Sequence, residues 1–450
     1  MDQTFMKERK IVPLVISMSL PMFISMLVSA LYNIVDSYFV AKISEEAMTA
    51  VSLVYPIQNL NTAIGVGFGV GVNSAVSYYL GAQDKKRAES CAHLGLYCSA
   101  IHGALLTIFG IAIMPWFLSL YTSSPVILSA GVEYSRIIFA VSILYCICIH
   151  YEKLFQAVGK MNVTMWSLGG GCLLNIVLDP LLIFGIGPFP QMGVRGAALA
   201  TAISMLFPLA IYLILYAKGS LGITVRVRKS PTVNRQERRK LLKRLYAVGV
   251  PSTLNMALPS VQVTVLNGIL AGISATYVFI LGVYYKLQTF IYSSTNGIVQ
   301  GIRPLVGYNY GAREYKRVWG VFRTALVMAL IIMAVGLLLC QLMPGTIMGW
   351  FTKSPDTAAR GALALRLISI GFLPSAFAVT VSGTLEGLGN GAGSLVTSLL
   401  RYIVVILPLA FLLSRSYGAV GVWNSFWITE IVSAAAVGIL LAFQKKKLTQ

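Results

Sequence analysis

The chain has 450 residues, 57% hydrophobic and only 11% charged, with a formal net charge of +20 and a mean hydropathy of +0.77. Soluble domains carry about 25% charged residues, so an apolar excess held over this length excludes a soluble globular protein and implies a polytopic membrane protein. In a soluble chain the positive surplus would suggest nucleic acid; here it falls in connections between apolar runs and marks topology, so no nucleic-acid partner is expected.

In chain order, apolar segments are predicted near 11–41, 48–80, 91–119, 129–155, 162–186, 193–217, 247–271, 276–308, 318–343, 357–384, 394–414 and 419–443. Such runs favour helices, which satisfy their own backbone in lipid. The opening "MDQTFMKERK" has no small-residue cleavage site behind it and reads as leading into a retained first helix. Lys7, Arg9 and Lys10 precede that helix. The second connection holds Lys85, Lys86 and Arg87, and the fourth Lys153 and Lys160. The sixth, residues 218–244, holds ten Lys or Arg against one acid. The eighth holds Arg313, Lys316 and Arg317, and the tail Lys445, Lys446 and Lys447. The intervening connections carry only Lys42, Arg195, Lys353, Arg360 and Arg415. This alternation predicts that both termini are cytoplasmic.

A shift of 230 residues brings the sequence onto itself. Pro21 meets Pro251, Gly67 and Gly71 meet Gly297 and Gly301, and "YYLGAQDKKR" meets "YNYGAREYKR". "YTSSP" meets "FTKSP", and Gly159 meets Gly389. With small gaps the match continues through Pro180 with Pro408 and Gly193 with Gly418. Each repeat holds six segments, an even number, so both enter the membrane the same way round. The expected architecture is an all-α integral membrane protein of two six-helix lobes, related by a pseudo-two-fold axis along the membrane normal, as in secondary transporters. The lobes are expected at 1–217 and 247–450, with 218–246 as a basic cytoplasmic linker. The glycines of "GVGFGVG" (65–71) read as close-packing positions.

No enzyme is expected. The six cysteines form no C-x-x-C pair, and His93, His102 and His150 are scattered, so no metal centre or cofactor is expected. No nucleophile elbow, phosphate loop or dinucleotide fingerprint appears.

Charged and amide residues inside the apolar segments carry the functional information. Asp36 in "LYNIVDSYFV", Asp179 in "NIVLDPLLIF" and Thr201 in "ALATAIS" come to a similar depth in the outer half of the first lobe. Asn175 and Asp179 are four apart and share a helix face; Asn33 and Asp36, three apart, do likewise. Pro180 is expected to bend its helix and free a carbonyl beside the carboxylates. Two readings fit: a site for a proton or a sodium ion, or a structural hydrogen-bond network. The second repeat has Leu266 and Val405 where the first has Asp36 and Asn175, so the cluster belongs to the first lobe alone. The second lobe offers Lys286 and Glu430, expected at similar depths either as a buried ion pair or as cavity-lining groups. Tyr284, Tyr285, Gln288 and Asn296 are further cavity candidates, with Asn33 in the first lobe. Glu152 reads as an acid near the cytoplasmic end of the fourth segment, either interfacial or serving proton exit or substrate capture.

The two-repeat plan together with "NIVLDPLLIFGIGP", "VDSYFV", "GAALATAIS", "GYNYGAREYKR" and "YGAVGVWNSFWITE" resembles the multidrug and toxic compound extrusion (MATE) family across essentially the whole chain, most closely its DinF-like bacterial branch. The resemblance implies a V-shaped pair of helical bundles in a bacterial plasma membrane. It also implies a monomeric exporter of small organic, often cationic, compounds in exchange for protons or sodium ions. It carries the coupling role onto Asp36, Asn175, Asp179 and Thr201. The NorM-like branch uses second-lobe acids; here segments seven and eight have none, Asp356 is expected in a loop and Glu386 at a helix end. The alternatives are a lipid-linked-precursor flippase of the same superfamily and, further off, a channel or receptor.

Overall fold

The structure is a computed structural model and describes residues 3–225 and 233–449. Arg226, Arg228 and Lys229 of the basic linker lie outside the described residues, as does the Lys447 side chain. The first repeat folds into α1 (Ile11–Ala41), α2 (Glu45–Gly81), α3 (Lys85–Ser119), the bent α4 (Pro125–Ala140 with Ser142–Ala157), α5 (Met161–Phe184) and α6 (Val194–Ala217). The second folds into α7 (Arg235–Ala271), α8 (Ala275–Gly311), α9 (Tyr315–Leu342) and the bent α10 (Pro355–Ser369 with Phe372–Gly387). Next, α11 comprises Gly391–Leu399, a π-helical turn at Leu400–Val404 and the start of Ile406–Thr449. That last run leaves helical geometry at Gly418, and residues 419–449 form α12.

Among the described residues eight helices are long and apolar enough to cross a membrane, and the two bent pairs bring the number to ten. One of the eight, Gly391–Lys446, is 56 residues long and holds two spans, α11 and α12. The more polar α8, 37 residues long, completes the expected twelve.

The sequence repeat is reproduced in the backbone. Gln83 and Arg313 take left-handed φ values of 59° and 60°, Gly159 and Gly389 of 83° and 81°, and Gly193 and Gly418 of 53° and 56°. The breaks in α4 and α10 bend by 47° and 48°. Helix starts are fixed by side-chain caps, which occupy otherwise unpaired backbone donors: Ser44 accepts from the Ala47 N–H at 3.1 Å, Asp84 from Arg87 at 3.0 Å and Asn390 from Gly393 at 3.0 Å. Asp356, expected in a loop, lies in the first turn of α10 and pairs with Arg360 one turn on, where an acid suits the positive end of the helix dipole.

The described residues form two compact units that follow the repeats, except that the starts of α1 and α7 are exchanged. One unit contains Ile24–Thr253, and the other Phe5–Phe23 with Leu254–Gln450. Glycines make each exchange possible. In the first unit a Cβ at Gly67 or Gly71 of α2 would strike the α7 backbone at Thr253 or the Leu245 carbonyl. In the second, a Cβ at Gly297 or Gly301 of α8 would meet Phe23 or Ser19 of α1 at 2.6 and 2.5 Å. Helices in lipid gain little from apolar burial and associate through such close approach. Gly71→Val is expected to destabilise the protein by about 1–3 kcal/mol through overpacking. A melting curve in detergent unchanged from wild type would show that α7 does not need this approach.

The linker is anchored within the first unit. Arg87 donates to Glu237 at 2.8 Å, the Thr224 N–H donates to Glu89 at 3.0 Å, and the Arg244 guanidinium lies 3.6 Å from the Tyr78 ring centroid.

Candidate functional site

Asp36 on α1 and Asp179 on α5 bring their carboxyl groups within hydrogen-bonding reach of each other. The Asn175 amide donates to Asp179 Oδ1 at 3.3 Å, one turn away on the same face of α5. Asn175 and Asp179 are fully buried, and Thr201 of α6 is 2% exposed. Tyr134 of α4 faces Thr201 and Gln58 and lies beside both aspartates; Tyr32 of α1 also adjoins them. Five helices of the first unit thus converge here.

The arrangement leaves oxygens unsatisfied. Asp36 Oδ1, Asp179 Oδ2, Asn175 Oδ1 and Thr201 Oγ1 are buried without a hydrogen-bond partner in the protein. A buried polar atom without a partner is costly, and two carboxylates in contact repel unless a positive charge lies between them. Oxygen donors of this kind suit either one shared proton or one hard cation such as sodium. Pro180 adds to the acceptors, because proline leaves the carbonyl of Ile176 without its helical donor; α5 nevertheless continues through it to Phe184.

Asn33 does not join this cluster. It is exposed and donates to the Ser29 carbonyl at 2.7 Å. Glu152 is 4% exposed: it accepts from Lys153 Nζ at 2.7 Å and from Gln156 Nε2 at 2.8 Å.

The second unit departs from the expected Lys286–Glu430 pairing. Glu430 accepts two hydrogen bonds from Arg401, at 2.9 and 2.7 Å, with both side chains largely buried. Lys286 is exposed, its ammonium 5.9 Å from the Phe351 ring centroid. A planar guanidinium matches a carboxylate with two parallel bonds, which an ammonium cannot. Tyr284 is not a cavity residue, being 2% exposed within an apolar cluster with Phe426 and Trp423. Tyr285 has a buried hydroxyl, Gln288 is half-buried and Asn296 is exposed. Sequence reasoning missed a second buried pair in this unit, Arg303 with Glu386 at 2.7 Å, joined by Asn255 and Ser394. Arg303 and Arg401 interrupt apolar runs, and that was the available signal.

A chain whose described residues form twelve long helices in two repeats, with the half-buried Asp36 facing the buried Asp179 inside one of them, is a membrane transporter, not an enzyme. The MatE family model matches residues 21–181 and again 251–412, and the chain belongs to this family, that of the MATE transporters. Those matches begin 230 residues apart, the offset of the internal repeat. Over 447 residues the chain is 26% identical to the multidrug export protein MepA of Staphylococcus haemolyticus, covering 99% of this chain and 96% of that protein. MepA of Staphylococcus aureus is 25% identical over 438 residues, covering 96% of this chain and 93% of that one. The fold matches the outward-facing conformation of a multidrug resistance MATE family transporter with a TM-score of 0.92 at 24% identity, covering 100% of this chain and 99% of the other. A MOP superfamily transporter from Pyrococcus furiosus gives 0.91 at the same identity and coverage.

Proposed function

We propose that the protein is a cation-coupled antiporter that exports small organic, mainly cationic, compounds by alternating access, using protons or sodium ions as the coupling ion. The observation that carries this reading is the facing Asp36–Asp179 pair with its unsatisfied oxygens. An exchangeable cation neutralises the pair, and its departure restores the repulsion, so occupancy biases the packing of α1 against α5. A ligand shifts such an equilibrium by its differential affinity for the two states. The export of drugs follows the names of the MepA relatives. A bacterial plasma membrane, cytoplasmic termini and a monomer complete the proposal, the termini resting on the alternation of Lys and Arg.

Purified protein in liposomes, given a proton gradient or a sodium gradient separately, is expected to move ethidium against its concentration difference under at least one of them. Equilibration alone under both gradients would sink the antiport reading.

A further inference from the structure

The exposed rows of the second unit's helices differ in kind. On α9 the row is Val327, Ile331, Val335 and Leu338, each more than half exposed, as suits lipid. On α8 it is Phe279, Gly282, Lys286, Phe290 and Asn296. These five fall within about 120° around the helix axis. Lys286 and Asn296 stand about 16 and 32 Å along a helix of about 55 Å. Both therefore lie inside a hydrocarbon core of about 30 Å centred on α8. A lysine near a helix end can stretch its stem to the interface, but Asn296, ten residues farther in, is too short to do so. A polar face at this depth meets water rather than lipid.

Lys286 has no acid to answer it. Residues 254–450 hold four acids. Arg303 holds Glu386, Arg401 holds Glu430 and Arg360 holds Asp356. Glu314 lies past the far end of α8, at the start of α9. The internal repeat does not account for the charge either, because the first lobe has Pro56 at the corresponding place.

What borders the ammonium is aromatic and open. The Phe351 ring centroid is 5.9 Å from Lys286 Nζ. Phe279, two turns before Lys286, and Phe290, one turn after it, are 42% and 45% exposed. Between Phe279 and Lys286, a Cβ added at Gly282 would meet nothing within 4 Å, so the space beside the lysine is free. A flat aromatic body can lie against such exposed rings, and a carboxylate on it can accept a charge-assisted hydrogen bond from the ammonium. A compound carrying positive charge alone would meet only repulsion from Lys286.

We propose that the α8 face around Lys286 is a recognition site for aromatic compounds that carry a carboxylate, with Lys286 as the specificity-determining residue. This inference rests on the exporter reading and narrows its organic cations to those that also bear a carboxylate.

The test uses two dyes that differ only in whether one carboxyl group is free. Rhodamine 110 is a cationic xanthene with a free benzoate, and rhodamine 123 is its methyl ester. Fluorescence polarisation with the full chain in detergent gives a Kd for each, and liposomes under a proton or sodium gradient give accumulation. The wild type is expected to bind the acid at least about fivefold more tightly than the ester. Lys286→Gln is expected to bring the two dyes level, Lys286→Arg to keep the preference and Lys286→Glu to reverse it. A lysine with a merely structural role would shift both dyes together and leave their ratio alone. A wild type that binds the dyes equally, or binds neither, overturns the site, and this measurement needs no variant to fold. A Lys286→Gln protein that keeps the preference overturns it as well. Preferential binding of the acid with no accumulation under either gradient would refute the exporter reading and leave the site standing. Accumulation of both dyes with equal KM would overturn the site and leave the exporter reading standing.

Discussion

Asp36→Asn and Asp179→Asn are each expected to abolish gradient-driven export while leaving the protein folded, with a Tm equal to or above that of the wild type. The sign of the stability change follows from the geometry. Each aspartate faces another carboxyl group, with no Lys or Arg among the hydrogen-bond partners found for the pair. Removing one negative charge from two in contact relieves repulsion, whereas removing one partner of an opposite-charge pair leaves an uncompensated ion. The amide still fills the carboxylate's volume, so packing against Tyr134 and Thr201 is kept. It binds neither an exchangeable proton nor a sodium ion with a full charge, so accumulation of ethidium is expected to fall to the level of protein-free liposomes. A Tm lowered by several degrees in both variants would show that the pair holds the lobe together, the structural alternative. Normal accumulation would show that coupling resides elsewhere.

Much of this site was legible because charge in oil is scarce. Asp36, Asn175, Asp179 and Thr201 stood out against apolar neighbours, and helical rise placed three of them at one depth. Tyr134 and Tyr32 did not stand out, since an aromatic inside an apolar run is ordinary; Tyr32 is one helical turn before Asp36, while only the fold brings Tyr134 to the aspartates. Thr164 and Ser167 share a face of α5 with Asn175 and Asp179, at spacings of three, eight and four, but Ser and Thr in membrane helices usually bond their own backbone, so periodicity alone does not mark them.

The second lobe shows where a depth argument fails. Depth along a helix does not fix direction around it. Tyr284 and Lys286 are two residues apart on α8, about 200° around the axis, so one faces the core and the other faces out, and both cannot line one cavity. The twelve-helix plan was legible for the opposite reason. It rests on long averages and on glycines such as Gly193 and Gly418, whose left-handed backbone excludes most other residues.

Arg401 and Glu430 are therefore expected to behave as a unit. Either Arg401→Met or Glu430→Gln alone should destabilise the protein by about 3–5 kcal/mol, because each leaves one buried charge unpaired. The double variant should recover most of that loss, since neither charge then remains in the apolar interior. Arg401 sits on the π-helical turn Leu400–Val404 and reaches Glu430 of α12 from there. The pair answers the first lobe's chemistry in a different way. In the proposed function Asp36 and Asp179 take up a cation that can leave, whereas Glu430 is neutralised by one that is covalently part of the chain. The second lobe accordingly has no exchangeable charge at this place, and the double variant is expected to keep gradient-driven export while the single variants lose it through instability. Double-mutant-cycle melting in detergent, run alongside ethidium transport, checks both statements. Additive losses in Tm would show that the two residues act independently, and a stable double variant without transport would make the pair part of the transport cycle itself.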